Sequence, residues 1–184
     1  PVDLGQHAVL PFSVFKKTLG RNDRRGKAAG VAVRADFGDG GTMPLYPAAD
    51  ADLDPIAALV NSAYRGDSSR AGWTTEADYL DGQRTDPETL RRDLAAKSCA
   101  RVLMLKDGPS EPLLGCVWLE PAKGDTWYLG MLTVTPTLQD RQLGRTMLAA
   151  AEAYVVEQGG KRIQMTVVSI RDTLIAWYER RGYR

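Results

Sequence analysis

Residues Tyr128 to Gly160 read YLGMLTVTPTLQDRQLGRTMLAAAEAYVVEQGG. An apolar strand leads into a Pro-Thr turn and a short polar loop, and a long amphipathic helix then ends at a pair of glycines. This order points the unpaired backbone N–H groups of the helix start at whatever lies above them. A helix N-terminus of this kind binds anions, and pyrophosphate is its usual ligand.

The periodicity of apolar residues in the rest of the chain predicts a mixed α/β domain. Asp54-Pro55 is typical of a helix start, with the aspartate as N-cap and the proline at the first helical position. Thr85-Asp86-Pro87-Glu88 is typical of another helix start, in which Glu88 would complete a capping box. The expected order is a strand and turn at 43–53, helices from 54 and from 85 to about 97, strands at 100–106, 113–120 and 126–134, a helix from 143, a strand at 162–168 and a last helix at 172–181 that Gly182 caps.

Two motifs, in this order, carry a resemblance to a known family. The first is Leu132-Thr133-Val134 followed by Gln139-Asp140-Arg141-Gln142-Leu143-Gly144, and the second is AWYERRGY at 176–183. The first resembles the cofactor-binding core of the GNAT superfamily, the acyl-CoA-dependent N-acyltransferases, where a strand ending in Leu-x-Val precedes Gln/Arg-x-x-Gly-x-Gly/Ala. The second resembles the superfamily's x-x-Tyr-Glu-Lys-x-Gly-Phe ending. The chain departs from the first pattern at Gln142, where the superfamily has glycine. The resemblance covers about residues 43 to 184 and implies a GNAT-like α/β fold with a mixed sheet.

The end of the chain departs from the superfamily pattern. The superfamily normally continues with one or two more strands after the position of Gly182-Tyr183, whereas this sequence stops at Arg184. The resemblance therefore implies a fold without those last strands, unless the sequence is truncated or another segment covers the sheet edge. An uncovered edge invites association, so a homodimer is a candidate state.

Residues 1–42 differ in character from the domain expected at 43–184. Glycines punctuate a basic run in this region, which favours a flexible N-terminal extension. Two short apolar pieces, at 8–15 and 31–37, are the alternative, since they could pair as edge strands and cover the open sheet edge. The only histidine, His7, also falls in this region, so a mechanism that needs a histidine in the core is not expected.

Composition narrows the class of protein. The net charge of +1 gives no argument for nucleic acid or a membrane surface. No apolar run approaches the roughly 18 residues of a transmembrane helix, and no signal peptide is evident, so a cytoplasmic location is expected. Cys99 and Cys116 fall in strand-like runs and are expected to be buried free thiols. Zinc-ligand spacing is absent, and no metal site is expected.

The resemblance implies a binding site for acetyl-CoA as acyl donor. The strand ending at Val134 would splay from its neighbour, so that its backbone pairs with the pantetheine arm. The loop after it would offer N–H groups to the pyrophosphate, with added charge from its arginines. The alternative is an ordinary core strand and a solvated helix start. The implied cofactor-binding residues are Leu132, Thr133, Val134, Gln139, Asp140, Arg141, Gln142, Leu143, Gly144, Arg145, Thr146 and Arg171.

Two residues are candidates for proton transfer. Tyr178 matches the superfamily tyrosine that protonates the departing thiolate, and a phenol of pKa about 10 can share a proton with a thiol of pKa about 8.5. A core aromatic residue is the alternative for Tyr178. Glu120, at the end of a neighbouring strand, is the candidate general base, directly or through a water, and an exposed strand-end carboxylate is its alternative.

The stretch 68–86 is rich in functional side chains for a loop and is expected to face the acceptor. Trp73 would stack on a substrate or fill the core, and Glu76 would bind a cationic amine. Tyr128, on the strand before the cofactor loop, is a further candidate for acceptor binding. The mixed charges fit a small amine or an amino-acid-like acceptor.

Three functions remain in view. The leading hypothesis is an N-acetyltransferase that transfers an acetyl group from acetyl-CoA to a primary amine by direct attack in a ternary complex. A non-catalytic acyl-CoA-binding or regulatory module on the same fold is the alternative, because Gln142 replaces a glycine and fold alone does not establish function. A nucleotide-binding α/β protein is disfavoured, since no Walker or dinucleotide-binding glycine pattern is present.

Overall fold

The computed structural model describes residues 12–20, 33–36, 42–65 and 82–184. Over these ranges the chain forms one seven-stranded sheet in the order β1-β7-β6-β5-β4-β3-β2, and the predicted α/β fold class is confirmed. The strands are β1 Phe12–Thr18, β2 Val33–Asp36, β3 Thr42–Pro47, β4 Arg101–Leu105, β5 Gly115–Pro121, β6 Thr126–Val134 and β7 Arg162–Val168. The α-helices are α1 Leu53–Tyr64, α2 Pro87–Ala96, α3 Leu143–Glu157 and α4 Asp172–Glu179.

Helices cover both faces of the sheet, because alternate side chains of the central strands point to opposite sides. On β4, Leu103 and Leu105 are buried in the cluster that contains α3 and α4. Val102 and Met104 are buried in the cluster that contains α1 and α2. Burial on both sides explains why the central strands consist of nearly continuous apolar runs.

One neighbouring pair of strands is parallel. Strand β6 runs parallel to β7, and α3 makes the crossover between them, whereas the other neighbours in the sheet are antiparallel. The parallel pairing extends only from Thr126–Arg162 to Tyr128–Gln164. The two strands therefore separate beyond Tyr128, after the first third of β6.

Strand β1 lies on the outer side of β7 and pairs with it antiparallel along its whole length, from Phe12–Val168 to Thr18–Arg162. Its outer edge in turn meets Arg184: the N–H of Lys16 donates to the Arg184 carbonyl at 2.7 Å, and the Arg184 N–H donates back at 3.0 Å. The edge of β7 that the GNAT resemblance leaves open is thus covered by an N-terminal strand.

For the region 1–42, the sequence leaves a flexible extension and edge strands as alternatives. Residues 12–18 and 33–36, which overlap the two apolar pieces, form the outer strands β1 and β2 of the sheet. Most of the rest of the region, including His7, lies outside the described residues. The domain boundary at residue 42 stays a prediction.

The helix starts agree with the sequence in one case and differ in the other. Asp86 is the N-cap of α2, where its carboxylate accepts a hydrogen bond from the Thr89 N–H at 2.8 Å. Helix α1 instead begins at Leu53, one residue before the expected cap, Asp54. It begins earlier because a 3-10 turn at Asp50–Asp52 leads directly into it. The final helix ends at Glu179, two residues earlier than expected, and Gly182, with a φ of 84°, lies in the turn that follows rather than at the cap.

Both cysteines are free thiols, but only Cys116 is buried. The expectation that Cys99 is buried is wrong, because this residue lies in the turn between α2 and β4 rather than in the strand itself. Among the described residues, no helix is long and apolar enough to cross a membrane.

Candidate active site

A cavity of about 110 Å³ lies where β6 and β7 separate. Residues 128–132 of β6 form one wall and residues 165–168 of β7 form the other, and Tyr178 of α4 also lines it. We call this space the β6–β7 opening. It exists because the parallel pairing stops at Tyr128–Gln164 while both strands continue.

The register of β1 determines which backbone groups of β7 face the opening. The N–H and C=O of Lys16 both form hydrogen bonds with Arg184 on the outer side of β1. The pair Lys16–Gln164, between β1 and β7, is therefore not hydrogen-bonded. Because bonded and non-bonded pairs alternate in an antiparallel ladder, the pair Val14–Thr166 is not bonded either. The N–H and C=O of Thr166 therefore point away from β1 and toward the β6–β7 opening.

The β6 side of the opening carries a bulge. The register between β5 and β6 shifts between Cys116 and Trp118, and Met131 adopts a φ of 52°. A non-glycine residue in this left-handed region costs of order 1–2 kcal/mol. Two hydrogen bonds fix the bulge: the Tyr64 hydroxyl donates to the Leu132 carbonyl at 2.7 Å, and the Thr133 hydroxyl donates to the Met131 carbonyl at 3.0 Å. Bulges of this kind re-aim a strand beside a functional site.

Tyr178 lines the opening although only 6% of its surface is exposed. Its ring meets those of Trp177 and Tyr183 edge-on, at centroid distances of 5.0 and 5.7 Å. Burial raises the pKa of the Tyr178 hydroxyl well above its ordinary value, and the charge of Arg171 opposes this only weakly. The phenol is therefore held in its protonated form at neutral pH.

Arg171 and Tyr128 flank the same cavity from α4 and β6. Arg171 is buried, with 9% of its surface exposed, at the N-cap position of α4. The Tyr128 hydroxyl lies 3.1 Å from the hydroxyl of Thr166 on β7. This contact bridges the two strands just beyond the end of their backbone pairing.

The backbone that leads into α3 has an unusual conformation. A 3-10 helix at Pro136–Arg141 leads into Gln142, which has a φ of 60° and is the N-cap of α3 without a side-chain hydrogen bond. The Gln142 carbonyl accepts from the N–H groups of Arg145 at 2.9 Å and Thr146 at 3.1 Å. This leaves the N–H groups of Leu143 and Gly144 outside the helix's own ladder. The left-handed conformation is the one that glycine adopts most easily, so Gln142 is not ordinarily helical here.

Cationic side chains meet beside this helix start. A Cβ added to Gly144 would lie 3.8 Å from the Trp177 ring, and the guanidinium of Arg181 stacks on that ring at 3.6 Å. Burial first, and the charges of Arg145 and Arg180 second, lower the pKa of Arg181. The Arg181 Nε is buried without a hydrogen-bond partner among the described residues.

Residues 59–183 match the family model described as Acetyltransferase (GNAT) family. The chain belongs to the GNAT acetyltransferase family. A comparison with curated proteins gives no match. The membership confirms the resemblance that the two motifs carry, and it implies acyl-transfer activity.

Solved structures of GNAT proteins share the fold. An acetyltransferase of the GNAT family from Staphylococcus aureus Mu50 has a TM-score of 0.60 at 12% identity, over 77% of this chain and 84% of that one. The GNAT domain of S. lividans PAT has a TM-score of 0.56 at 17% identity, over 84% of this chain and 86% of that one. A tandem GNAT protein from the clavulanic acid biosynthesis pathway has a TM-score of 0.60 at 14% identity, over 97% of this chain and 51% of that one. At these identities the likeness establishes the fold alone.

This GNAT domain brings several of the predicted site residues together and separates others. Tyr128, Leu132, Arg171 and Tyr178 line the opening. The side chains of Thr133, Val134, Leu143 and Thr146 are buried, so only their backbone is available for a ligand. Gln139, Asp140 and Arg141 are described only by the backbone of their 3-10 helix, and Trp73 and Glu76 lie outside the described residues.

Glu120, the candidate base, does not line the opening. It pairs with Tyr128 across β5 and β6. Its carboxylate forms an ion pair with Lys97 at 2.6 Å and accepts a hydrogen bond from the Trp118 indole at 3.1 Å. These two contacts hold the carboxylate on the α2 side of the sheet, one strand away from the cavity.

Two residues that line the opening cannot be identified as site residues from local sequence patterns. Tyr64, at the end of α1, lines the opening and holds the bulge, and Arg84 stacks on its ring at 4.3 Å. Phe12 on β1 lines the opening from the other side. Tyr64 belongs to the apolar face of a helix, so its pattern indicates a core residue. Phe12 reaches the site only through the pairing of β1 with β7.

Proposed function

We propose that this GNAT domain is an N-acetyltransferase that uses acetyl-CoA to acetylate the primary amine of a small-molecule or amino-acid-like acceptor. The amine attacks directly in a ternary complex: the C–N bond forms and the C–S bond breaks. The observation that carries the proposal is a protonated, buried Tyr178 on the wall of the β6–β7 opening.

The residues at the opening and at the start of α3 fit acetyl-CoA. Backbone groups of Thr166 face the opening and would pair with an extended amide-bearing arm, as a further strand would. The N–H groups of Leu143 and Gly144, with Arg145 and Arg181 beside them, would hold the phosphates. Acetyl-CoA, when bound, supplies the activated thioester on which the amine acts.

Tyr178 is the proposed general acid, because its protonated side chain lines the opening, where it would give its proton to the departing thiolate. A covalent route through Cys116 is disfavoured. That side chain is fully buried, and burial raises the pKa of its thiol to about 12, so almost no thiolate is present to act as a nucleophile. Direct attack needs no such group.

The acceptor is proposed to enter from the side of Tyr128, with Trp73 and Glu76 as further binding residues. Glu120 stays the proposed general base, reaching the amine through a water beside Tyr128, its cross-strand partner. A homodimer and a cytoplasmic location also stay predictions from the sequence.

A non-catalytic acyl-CoA-binding module is the second candidate. The observation that favours it is the left-handed conformation of Gln142, because a side chain stands where the backbone would approach a phosphate. In that case acetyl-CoA binds, but no amine is acetylated.

The two candidates separate in a pair of measurements. Calorimetric titration with acetyl-CoA, with ATP as control, is expected to show binding of acetyl-CoA alone. Tyr178→Phe is then expected to lower turnover of an amine by about 100-fold or more with near-normal acetyl-CoA affinity, whereas Tyr46→Phe, a half-buried tyrosine on β3, leaves the rate unchanged. An unchanged rate in Tyr178→Phe removes this residue from the mechanism. Binding without turnover on any amine of a broad panel supports the module instead.

A further inference from the structure

A second cleft, of about 390 Å³, lies at the end of the sheet where β6 begins. Trp127 of β6, Tyr154 of α3 and Arg101 of β4 line it, and the turn at Gly159 and Gly160 borders it. It shares no lining residue with the β6–β7 opening. Neither the family match nor the proposed acyl transfer assigns it a role.

Trp127 has an indole N–H without an acceptor. The residue is only 9% exposed, and its ring packs edge-on against Tyr154 at a centroid distance of 6.1 Å. Within the described part of the chain, the indole N–H donates no hydrogen bond, and its nitrogen is not sealed from the cleft. A buried tryptophan usually pairs this group, so a ligand atom that accepts a hydrogen bond would complete it.

The turn at Gly160 lies directly against the Trp127 indole. A Cβ on Gly160 would come within 2.5 Å of the Trp127 ring and 2.8 Å of its Nε1. Any side chain at this position would therefore press on the nitrogen. Glycine at this buried position lets the turn pack closely against Trp127 and Val155 beside the cleft.

Arg101 supplies a fixed positive charge. Its Nη1 donates to the carbonyls of Ser98 at 3.0 Å and Ala100 at 2.6 Å, which holds the guanidinium in place and leaves Nε and Nη2 for another partner. Tyr154 lines the same cleft as this cation, and burial raises the pKa of its phenol, which Arg101 acts to lower. The single carboxylate among the described lining residues, Asp125, is already paired with Lys161 and Arg162.

We propose that this cleft binds a small aromatic carboxylate. The carboxylate accepts hydrogen bonds from the Trp127 indole and the Arg101 guanidinium, and the aromatic ring packs against Tyr154. An amine would meet the charge of Arg101, and a ligand without an acceptor would leave the indole unpaired. The cleft volume falls within the range of about 300–1,000 Å³ that is usual for small-molecule sites.

The test follows the Trp127 indole N–H in the full-length, ¹⁵N-labelled protein during titration with phenylacetate. The signal is assigned by its loss in Trp127→Phe. We expect a saturable shift of this one indole signal, with phenylacetamide, which keeps the ring but lacks the charge, binding about tenfold or more weakly. Binding is measured without acetyl-CoA, so the result does not depend on the proposed acyl transfer.

Two variants probe the contacts from partly exposed positions. Arg101→Gln is expected to weaken phenylacetate binding by about tenfold or more, because it removes a charge-assisted hydrogen bond. Tyr154→Phe is expected to weaken it less. Arg92→Gln, an exposed arginine on α2 outside the cleft, is the matched control and should leave binding unchanged. An unmoved Trp127 signal, equal binding of the amide, or unaltered binding in Arg101→Gln would each overturn the proposal.

Discussion

Lys17 of β1 and Glu152 of α3 form a two-point ion pair, with the Lys17 Nζ 2.9 Å from both carboxylate oxygens. The buried Tyr183 donates its hydroxyl to the same Glu152 carboxylate at 2.9 Å, and Lys17 lies over the Tyr183 ring at 5.4 Å. One carboxylate thus joins the N-terminal strand, the crossover helix and the segment after α4.

Replacing Glu152 with glutamine tests this junction. The side chains of Lys17 and Glu152 are only 25% and 19% exposed, so the loss of the charge leaves a partly buried ammonium unpaired. We expect a loss of about 1–3 kcal/mol in the free energy of unfolding, measured by urea denaturation. Glu157→Gln, an exposed glutamate on the same helix, is the control and should change it by less than about 0.5 kcal/mol. Equal stability of the two variants would mean that the junction contributes nothing.

Gln142→Gly tests the left-handed helix entry. Because Gln142 is exposed and has a φ of 60°, glycine relieves the steric cost, and we expect a gain of about 0.5–1 kcal/mol in the free energy of unfolding. Gln158→Gly makes the same exchange at the other end of α3, where φ is −81°, and is expected to destabilise. If the acetyltransferase proposal holds, Gln142→Gly also binds acetyl-CoA at least as tightly as the parent. A loss of stability in Gln142→Gly would contradict the left-handed entry.

The buried thiol of Cys116 is expected to make the free energy of unfolding depend on pH in the alkaline range. Burial raises the pKa of its thiol to about 12 in the folded state, whereas the unfolded value is near 8.5. A raised pKa stabilises the folded state fully below the unfolded value, and this contribution falls as the pH rises toward the folded value. Between about pH 9 and 11, the parent should therefore lose about 1.4 kcal/mol per pH unit relative to Cys116→Ala. Parallel pH curves for the two proteins would show that the thiol is not buried.

Tyr64→Phe tests the support of the bulge. The change removes the hydrogen bond to the Leu132 carbonyl and leaves the ring in place. We expect acetyl-CoA affinity to fall by about three- to tenfold, since a lost hydrogen bond is typically worth about 1 kcal/mol. The comparison is calorimetric titration beside Tyr46→Phe. Unchanged affinity would mean that the bulge holds its shape without Tyr64.

Local sequence patterns predict a helix or strand well where the residues of that segment determine its conformation. The β-branched run at 162–168 forms β7 with the expected bounds, and Asp86-Pro87 starts α2 as its capping chemistry requires. The family motifs also predict which strand, loop and helix meet at the site. These features depend on residues near one another in the chain.

Features that depend on distant partners do not follow from local patterns. Phe12–Thr18 is recognisable as a possible strand, but its pairing with β7 is decided by an edge that forms some 150 residues later. The φ of 52° at Met131 likewise has no local cause, because a bulge depends on the register with β5. Tyr64 has the periodicity of a core residue, and its hydrogen bond to Leu132 appears only in three dimensions.

The pairing of β1 with β7 also affects the order in which the chain can fold. Phe12 pairs with Val168, so this ladder closes one of the longest loops in the domain and forms after more local contacts. At about 5–20 residues per second, a ribosome releases β1 roughly 8–30 s before β7. During that time Phe15, which is buried in the finished sheet, has no strand to cover it. The nascent chain therefore carries an unpaired apolar strand that a chaperone could recognise, and translation speed would determine how long it stays exposed.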